Sequence, residues 1–412
     1  MLQKFLSLVI HEGDLTVVDP RGRTMRFGDG AGSGIVVRIH RWRTIAGLIL
    51  SPEFYLGEGY VDGSLAFERG DIFQLLDLVG RNWARRGARR RNRRWSAHLA
   101  RWLFQWNGRR AARRNASYHY DLSDELYRSF LDPDLQYSCA YFPKPDLTLE
   151  QAQAAKKAYL ASKLFLQPGM RVLDIGSGWG GLALTLAEMS GVEVLGVTLS
   201  ARQLAVARER ASAGGLGARV RFALRDYRDV EGSFDRIVSV GMLEHVGRLN
   251  YRSYFEKIAQ LLSGDGVAVI HSIGYRGEPG PTNPWISKYI FPGGHMPSLS
   301  EVLPAIEAAG LWATDIEVLR LHYAETLLCW RERFLAQRSG VAQLHGERFC
   351  RMWEFYLGIS EIAFRHLGQM VFQIQLAKRV DAVPITRDYL YEPNMEPIAA
   401  SRSAEVCLRR AG

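Results

Sequence analysis

Two hydrophobic rhythms divide the chain. From Met170 onward, short apolar runs alternate with segments whose apolar residues recur at helical spacing, the pattern of a parallel sheet covered by helices on both faces. Arg171-Val-Leu-Asp-Ile reads as a buried strand and runs into Gly176-Ser-Gly-Trp-Gly-Gly181, followed by a helix over Leu182 to Met189. Further strands are expected over Val192 to Val197, Arg219 to Ala223, Phe234 to Val240 and Val267 to His271, with helices over Ala201 to Ala213 and Tyr251 to Leu262. The pattern predicts a doubly wound, Rossmann-like α/β fold. Before Val79 the rhythm is shorter and mixed. Leu15-Thr-Val-Val-Asp and Ile35-Val-Val-Arg-Ile flank a glycine-rich stretch, and helices are expected over Arg43 to Leu50 and Asp71 to Val79. This is a small α+β unit without a catalytic constellation of its own, read as a packing or docking domain.

Between these two parts the charge changes the picture. Thirteen arginines and no acid lie between Arg81 and Arg114, while the rest of the chain carries 40 basic and 43 acidic residues. The net charge of +10 is therefore one local device. Trp83, Trp95, Trp102, Phe104 and Trp106 are interleaved with the arginines. Guanidinium groups and indoles suit nucleic-acid phosphates and bases, and they suit an anionic bilayer equally well; a folded connector is the third reading. The domain plan is thus 1–80, a connector over 81–116, a catalytic domain over 117–390 and a tail over 391–412.

At 412 residues, 47% hydrophobic and 23% charged, the composition is globular and excludes a disordered or fibrous chain. No apolar run reaches the length of a membrane span, and the N-terminal stretch is too weak for a signal peptide, so a cytoplasmic protein is expected. Cys139, Cys329, Cys350 and Cys407 lie far apart, with neither zinc spacing nor a disulfide framework.

The glycine loop fits a dinucleotide site nearly as well as a methyltransferase site. Two details favour the second. Asp174, two residues before the first glycine, suits the cationic amino-acid end of S-adenosylmethionine and would oppose a pyrophosphate. Val197-Thr-Leu-Ser200 ends the second strand without the carboxylate that clamps an NAD ribose. Asp226 follows the third strand, where a methyltransferase commonly receives the adenine amino group; as a residue it also suits a turn or cap. With Thr198, Glu244 and His271, these put a polar group at each of five strand ends on one sheet edge.

Several ordered blocks resemble the cyclopropane-fatty-acid-phospholipid synthases and the related mycolic acid cyclopropane synthases. They are His119-Tyr-Asp-Leu-Ser, Tyr137-Ser-Cys-Ala-Tyr-Phe142, Val172 to Gly181, Gly196-Val-Thr-Leu-Ser200 with Gln203, Asp235 to Gly247, His271-Ser-Ile-Gly274, Trp285 to Pro292 and Leu321-His-Tyr-Ala-Glu-Thr326. The resemblance spans about Tyr118 to Lys378 and extends to the small first domain. It implies S-adenosylmethionine bound by Tyr137, Ser138, Asp174, Gly176, Gly178, Gly180, Thr198, Gln203, Asp226 and Tyr227. It also implies a bicarbonate general base held by Cys139, Glu244, His271, Ile273 through its backbone, and Tyr323, with Glu244 either orienting His271 or accepting the bicarbonate hydroxyl. The implied substrates are unsaturated phospholipids at an anionic membrane surface, which favours membrane over nucleic acid for the arginine-rich stretch and places the protein peripherally at the inner membrane. A lipid C-methyltransferase is the alternative with the same first step. A homodimer fits the family, although no seam in the sequence marks one. Two positions depart from the family: Ser177 replaces a common cysteine, and Gly358-Ile-Ser360 stands where some members carry a late-helix cysteine.

Overall fold

The structure, a computed structural model, describes residues 2–85, 124–277 and 282–391. Residues 86–114 of the arginine-rich stretch, the block from His119 to Ser123 and the tail beyond 391 lie outside the described residues.

The N-terminal unit pairs strands β1 (Leu15–Val18), β2 (Thr24–Phe27), β3 (Ile35–Ile39) and β4 (Leu65–Arg69) in the order β2-β1-β3-β4. β3 alternates buried and half-buried positions, the period of a sheet with one face on a core. Helices α1 (Leu2–Val9), α2 (Trp42–Leu50), α3 (Pro52–Val61) and α4 (Ile72–Arg85) cover it. The helix expected to end at Val79 continues to Arg85, where Arg81 pairs with Asp77 at 2.8 Å and Arg85 pairs with Glu12.

The larger unit begins with α5 (Asp124–Phe130) and α6 (Leu149–Leu164), the latter opened by a reciprocal Thr148/Gln151 capping box. Strands β5 (Arg171–Ile175), β6 (Glu193–Thr198), β7 (Val220–Leu224), β8 (Phe234–Val240) and β9 (Leu262–Tyr275) then alternate with α7 (Gly181–Ser190), α8 (Ala201–Ala213) and α9 (Tyr251–Leu261). The five strands read from the sequence are present within one residue, except that β9 is far longer than its apolar centre. Its C-terminal flank becomes strand because β11 (Gln369–Ala377) pairs along nine residues of it, Val267 to Tyr275, while Leu262 at the other end pairs with Phe234 of β8. β11 is antiparallel to both β9 and the edge strand β10 (Trp312–Val318), which completes the order β10-β11-β9-β8-β5-β6-β7. The expected doubly wound sheet is present and carries one reversed strand, delivered after α10 (Pro284–Tyr289), α11 (Leu299–Ala308), α12 (His322–Ala336), α13 (Arg338–His345) and α14 (Glu347–His366).

These late helices form an aromatic cap, with Trp285, Trp330, Trp353 and Phe334 all buried, and Phe130 of α5 packs into it. α14 is also the seat of the N-terminal unit. A Cβ on Gly57 would lie 2.6 Å from Trp285, and one on Gly358 would lie 2.8 Å from Phe73. Gly358 therefore faces the N-terminal unit, and its lack of a side chain permits close packing there. Polar ties cross the same seam: the Tyr60 hydroxyl donates to Glu354 at 2.5 Å, and His366 meets Asp77 at 2.9 Å.

Candidate active site

The strand order turns at β5, where the chain runs outward to β6 and β7 on one side and returns as β8 and β9 on the other. A crevice at such a reversal is where open α/β sheets bind ligands. Here it is a cavity of about 190 Å³ at the carboxyl ends of β5, β6 and β8. Nine of the ten residues expected to hold the cofactor line it: Tyr137, Ser138, Asp174, Gly176, Gly178, Thr198, Gln203, Asp226 and Tyr227.

The tenth does not. Gly180 is the N-cap of α7 with φ +84°, and a Cβ there would lie 2.7 Å from Phe222 and 3.0 Å from Ala207. It serves the close approach of helix to sheet. Gly178, by contrast, has φ +54° with open space where a Cβ would stand, so its backbone faces the cavity. The loop is fixed by the amides of Gly176 and Ser177, which both donate to the Val197 carbonyl, at 2.9 and 3.0 Å.

Asp174 is buried at the cavity wall, and its Oδ2 has no partner. Burial pushes its carboxyl up to about 7, only partly offset by the Lys156 ammonium. An orphaned, buried carboxylate suits a cation. Thr198 Oγ1 donates to Gln203 Oε1 at 3.1 Å, ordering the end of β6. Asp226 is held by Arg228 through two hydrogen bonds of 2.8 and 2.6 Å and accepts the Arg228 amide at 3.0 Å. It is both turn former and cavity wall. Tyr227, its phenol pushed up to about 12 by burial, stands beside it.

The other wall is the segment from Gln136 to Phe142. Its supports were not evident in the sequence. Gln153 Nε2 donates to the Ser138 carbonyl at 2.9 Å, and Lys156 Nζ donates to Gln136 Oε1 and Ser138 Oγ at 2.5 and 2.9 Å. From the cap, Thr326 Oγ1 accepts the Ala140 amide at 3.0 Å and His322 Nδ1 accepts the Phe142 amide at 3.0 Å. The Tyr137 and Tyr356 hydroxyls meet at 2.7 Å, and the Tyr137 ring stacks on Trp330.

The five residues of the expected base site lie outside the cavity lining, Cys139 within this wall segment itself. Cys139, Ile273 and Tyr323 belong to one apolar cluster with Trp330, and burial pushes the Cys139 thiol up, so it stays protonated. Glu244 accepts the Ile273 amide at 2.6 Å through Oε1, while Oε2 is buried without a partner. Burial raises its carboxyl to about 7, against the pull of that amide. His271 is 2% exposed, and burial with the charges of Lys156 and Lys163 pushes it down to about 3, so the ring is neutral. The structure differs from the expectation that Glu244 orients His271. Gln373 on β11 does so, its Nε2 lying 3.1 Å from His271 Nδ1. Nor is the Ile273 amide a free donor, because Glu244 holds it. Tyr323 packs edge-on against Trp330 and against Phe364, with ring centroids 5.8 and 4.8 Å apart. The Cys139 thiol donates to the Ala140 carbonyl at 3.2 Å, so the carboxyl able to hold a proton at Oε2 and the neutral imidazole are the donors that fit a small oxyanion. Among the described residues no cluster of ligating side chains suits a metal, and no helix is long and apolar enough to cross a membrane.

A seven-stranded sheet with one reversed strand, a glycine loop at its turning point and a carboxylate facing the cavity define an S-adenosylmethionine-dependent methyltransferase. The chain belongs to the mycolic acid cyclopropane synthetase family, whose match spans residues 107–374. It is 40% identical over 337 residues to the cyclopropane-fatty-acyl-phospholipid synthase of Escherichia coli, covering 79% of this chain and 83% of that one. It is 43% identical over 285 residues to the tuberculostearic acid methyltransferase UfaA1 of Mycobacterium tuberculosis, 66% of each chain. Among solved structures, the cyclopropane synthase MmaA2 of Mycobacterium tuberculosis superposes with a TM-score of 0.62 at 34% identity, over 65% of this chain and 98% of that one. The mycolic acid cyclopropane synthase CmaA1, solved with S-adenosylhomocysteine and CTAB, gives 0.61 at 35%, over 64% and 97%.

The state of Asp174 sets a pH dependence. Binding a cation beside it requires the ionised form, so affinity for S-adenosylmethionine should be full above about 7 and fall as pH drops through that value. Titration calorimetry at a series of pH values is expected to give a dissociation constant that rises about tenfold per unit below that point. A flat profile down to acid pH would remove Asp174 as the cation's partner.

Proposed function

We propose that the enzyme transfers a methylene group from S-adenosylmethionine to cis double bonds of unsaturated phospholipid acyl chains, forming cyclopropane rings, with bicarbonate as general base. The observation that carries this reading is a cofactor cavity with an unpartnered carboxylate, together with buried polar groups at Cys139, Glu244 and His271 outside its lining. S-adenosylmethionine brings an electrophilic methyl group, and bicarbonate brings a base. The chain's own residues supply the rest. Asp174 and the Gly176 to Gly178 backbone hold and aim the cofactor. Tyr137, Trp330, Tyr323 and Tyr356 exclude water and present π faces on which positive charge on the acyl chain is stabilised. His271 and Glu244 hold the oxyanion, which in so apolar a place is stable only when hydrogen-bonded. Glu244 keeps a proton at Oε2 near neutral pH, and Gln373 fixes the tautomer and orientation of His271.

A second reading is supported by the similarity to a tuberculostearic acid methyltransferase: the same methyl transfer, ending in a methyl- or methylene-branched chain. Mass spectrometry of lipids from cells expressing the protein separates the two. A gain of one CH₂ with loss of the double bond supports the ring, and the same gain with the double bond retained supports the branched product. No shift in any lipid would refute both.

The acyl chains must come from a bilayer. The basic stretch from Arg81 to Arg114, with its interleaved tryptophans, suits the anionic surface of the inner membrane, each favourable arginine contributing up to about 1 kcal/mol at low salt. Changing Arg89, Arg90, Arg91, Arg93 and Arg94 to glutamine is expected to weaken co-sedimentation with anionic vesicles while cofactor affinity is unchanged. Equal binding by both proteins, or binding indifferent to salt, would make the stretch a connector.

A further inference from the structure

Lys156 is a lysine in the wrong place for a structural role alone. It stands in the middle of α6, fully buried, and its ammonium donates to two neutral oxygens, Gln136 Oε1 at 2.5 Å and Ser138 Oγ at 2.9 Å. Among the described residues no carboxylate forms an ion pair with it. Its neighbour Lys157 and Lys163, near the end of the same helix, each have one, Asp134 and Glu317, both at 2.5 Å. A buried cation without an opposite charge is costly, and such cost is tolerated where a charged ligand completes the pair.

The residues around it show which charge is missing. Ser138, which it grips, precedes Cys139 in the chain. The ionisable groups within its electrostatic reach are Asp132, Asp134 and Cys139 on the segment before α6, Lys157 on its own helix, Asp174 on β5 and His271 on β9. Asp134 is already committed to Lys157 and Arg210. The remaining carboxyls, Asp132 and Asp174, form no ion pair with it, and burial raises the proton affinity of both. The niche of Cys139, Glu244 and His271 contains no positive charge of its own, since the thiol is protonated, the imidazole neutral and the carboxyl near neutral. An anion placed there has hydrogen-bond donors but no counter-charge among them. The cofactor's sulfonium charge cannot serve throughout, because it leaves with the methyl group.

We infer that Lys156 is the fixed counter-charge of the anionic base, a positioning residue that acts through Ser138 and through space to hold an oxyanion beside Cys139 and His271. This rests on the bicarbonate reading above and assigns to it a residue outside the expected set.

The test is calorimetric titration of bicarbonate, in CO₂-depleted buffer, into the full-length protein saturated with S-adenosylhomocysteine, whose neutral sulfur isolates the lysine's contribution. Lys156→Met is expected to raise the bicarbonate dissociation constant at pH 7 by roughly tenfold or more, equivalent to about 1.4 kcal/mol, in protein kept saturated with S-adenosylhomocysteine. Burial pushes Lys156 down to about 8. The ratio of variant to wild-type constants should therefore narrow as pH rises past that value, where both proteins lack the charge. A strut for the Gln136 to Ser138 segment would give a ratio indifferent to pH. Circular dichroism checks folding, and Lys156→Gln, which keeps a donor toward Ser138, replaces the methionine variant if that one does not fold. Equal bicarbonate constants in wild type and variant, or a pH-independent ratio, overturn the assignment of Lys156. No bicarbonate binding by the wild type would instead overturn the base itself.

Discussion

Glu244→Gln is expected to lower turnover by roughly two to four orders of magnitude, the span of a lost general acid–base function, while the dissociation constant for S-adenosylmethionine stays within about threefold of wild type. The substitution is nearly isosteric. An amide oxygen can still accept the Ile273 amide that Oε1 now takes at 2.6 Å, so β9 keeps its place. What is lost is the buried Oε2, an oxygen with no partner in the protein and with a proton affinity raised to about 7. His271→Ala should behave alike, because the neutral ring anchored by Gln373 lies outside the cofactor cavity. Single-turnover rates beside calorimetry of cofactor binding check both. Near-normal rates in either variant would remove that residue from the chemistry, and a parallel loss of cofactor affinity would make it structural.

The complementary pair acts at the other end of the site. Asp174→Asn and Gly178→Val are each expected to weaken S-adenosylmethionine binding by about a hundredfold or more. The causes differ. Asparagine removes the negative charge that an amino group would meet, and its effect should fade below pH 7, where the wild-type carboxyl is itself protonated. Valine at position 178 meets no protein atom within 4 Å of its Cβ, so it fits the protein and projects into the ligand's space. It also forces a β-branched residue to φ +54°, a strain of about 1–2 kcal/mol. Retained tight binding by both variants would refute the cofactor assignment.

How much of this was readable in the sequence follows from which residues obey simple periodicities. The strands from β5 to β8 are short runs with both faces covered, and their apolar content marks them to within one residue. The cavity was readable too, because the polar groups that end those strands break the apolar pattern at one edge. α6 was not. Its inward face carries Gln153, Lys156 and Lys163 between Leu149, Leu160 and Leu164, so the stripe that marks a buried helix is interrupted by residues typical of solvent. The spacing was helical while the residue types were wrong, and such a conflict is itself a sign of a functional face. β10 and β11 were missed for another reason. β11 reads Gln-Met-Val-Phe-Gln-Ile-Gln, and only its pairing with β9 explains why Gln373 and Gln375 are buried, the first against His271 and the second donating to the Lys163 carbonyl at 2.8 Å. Such partners are distant in sequence, so no local pattern names them. Gly180 shows that a motif glycine can also serve packing, because the same loop must bring helix against sheet.

The central claim, methylene transfer to an acyl double bond, is tested most directly with purified protein, vesicles of a monounsaturated phospholipid and S-adenosylmethionine carrying a trideuterated methyl group. The account predicts an acyl chain that has gained one carbon with two deuterium atoms and takes up no hydrogen on mild catalytic hydrogenation, because the ring has replaced the double bond. A chain that retains all three deuterium atoms, or one that still takes up hydrogen, would contradict it.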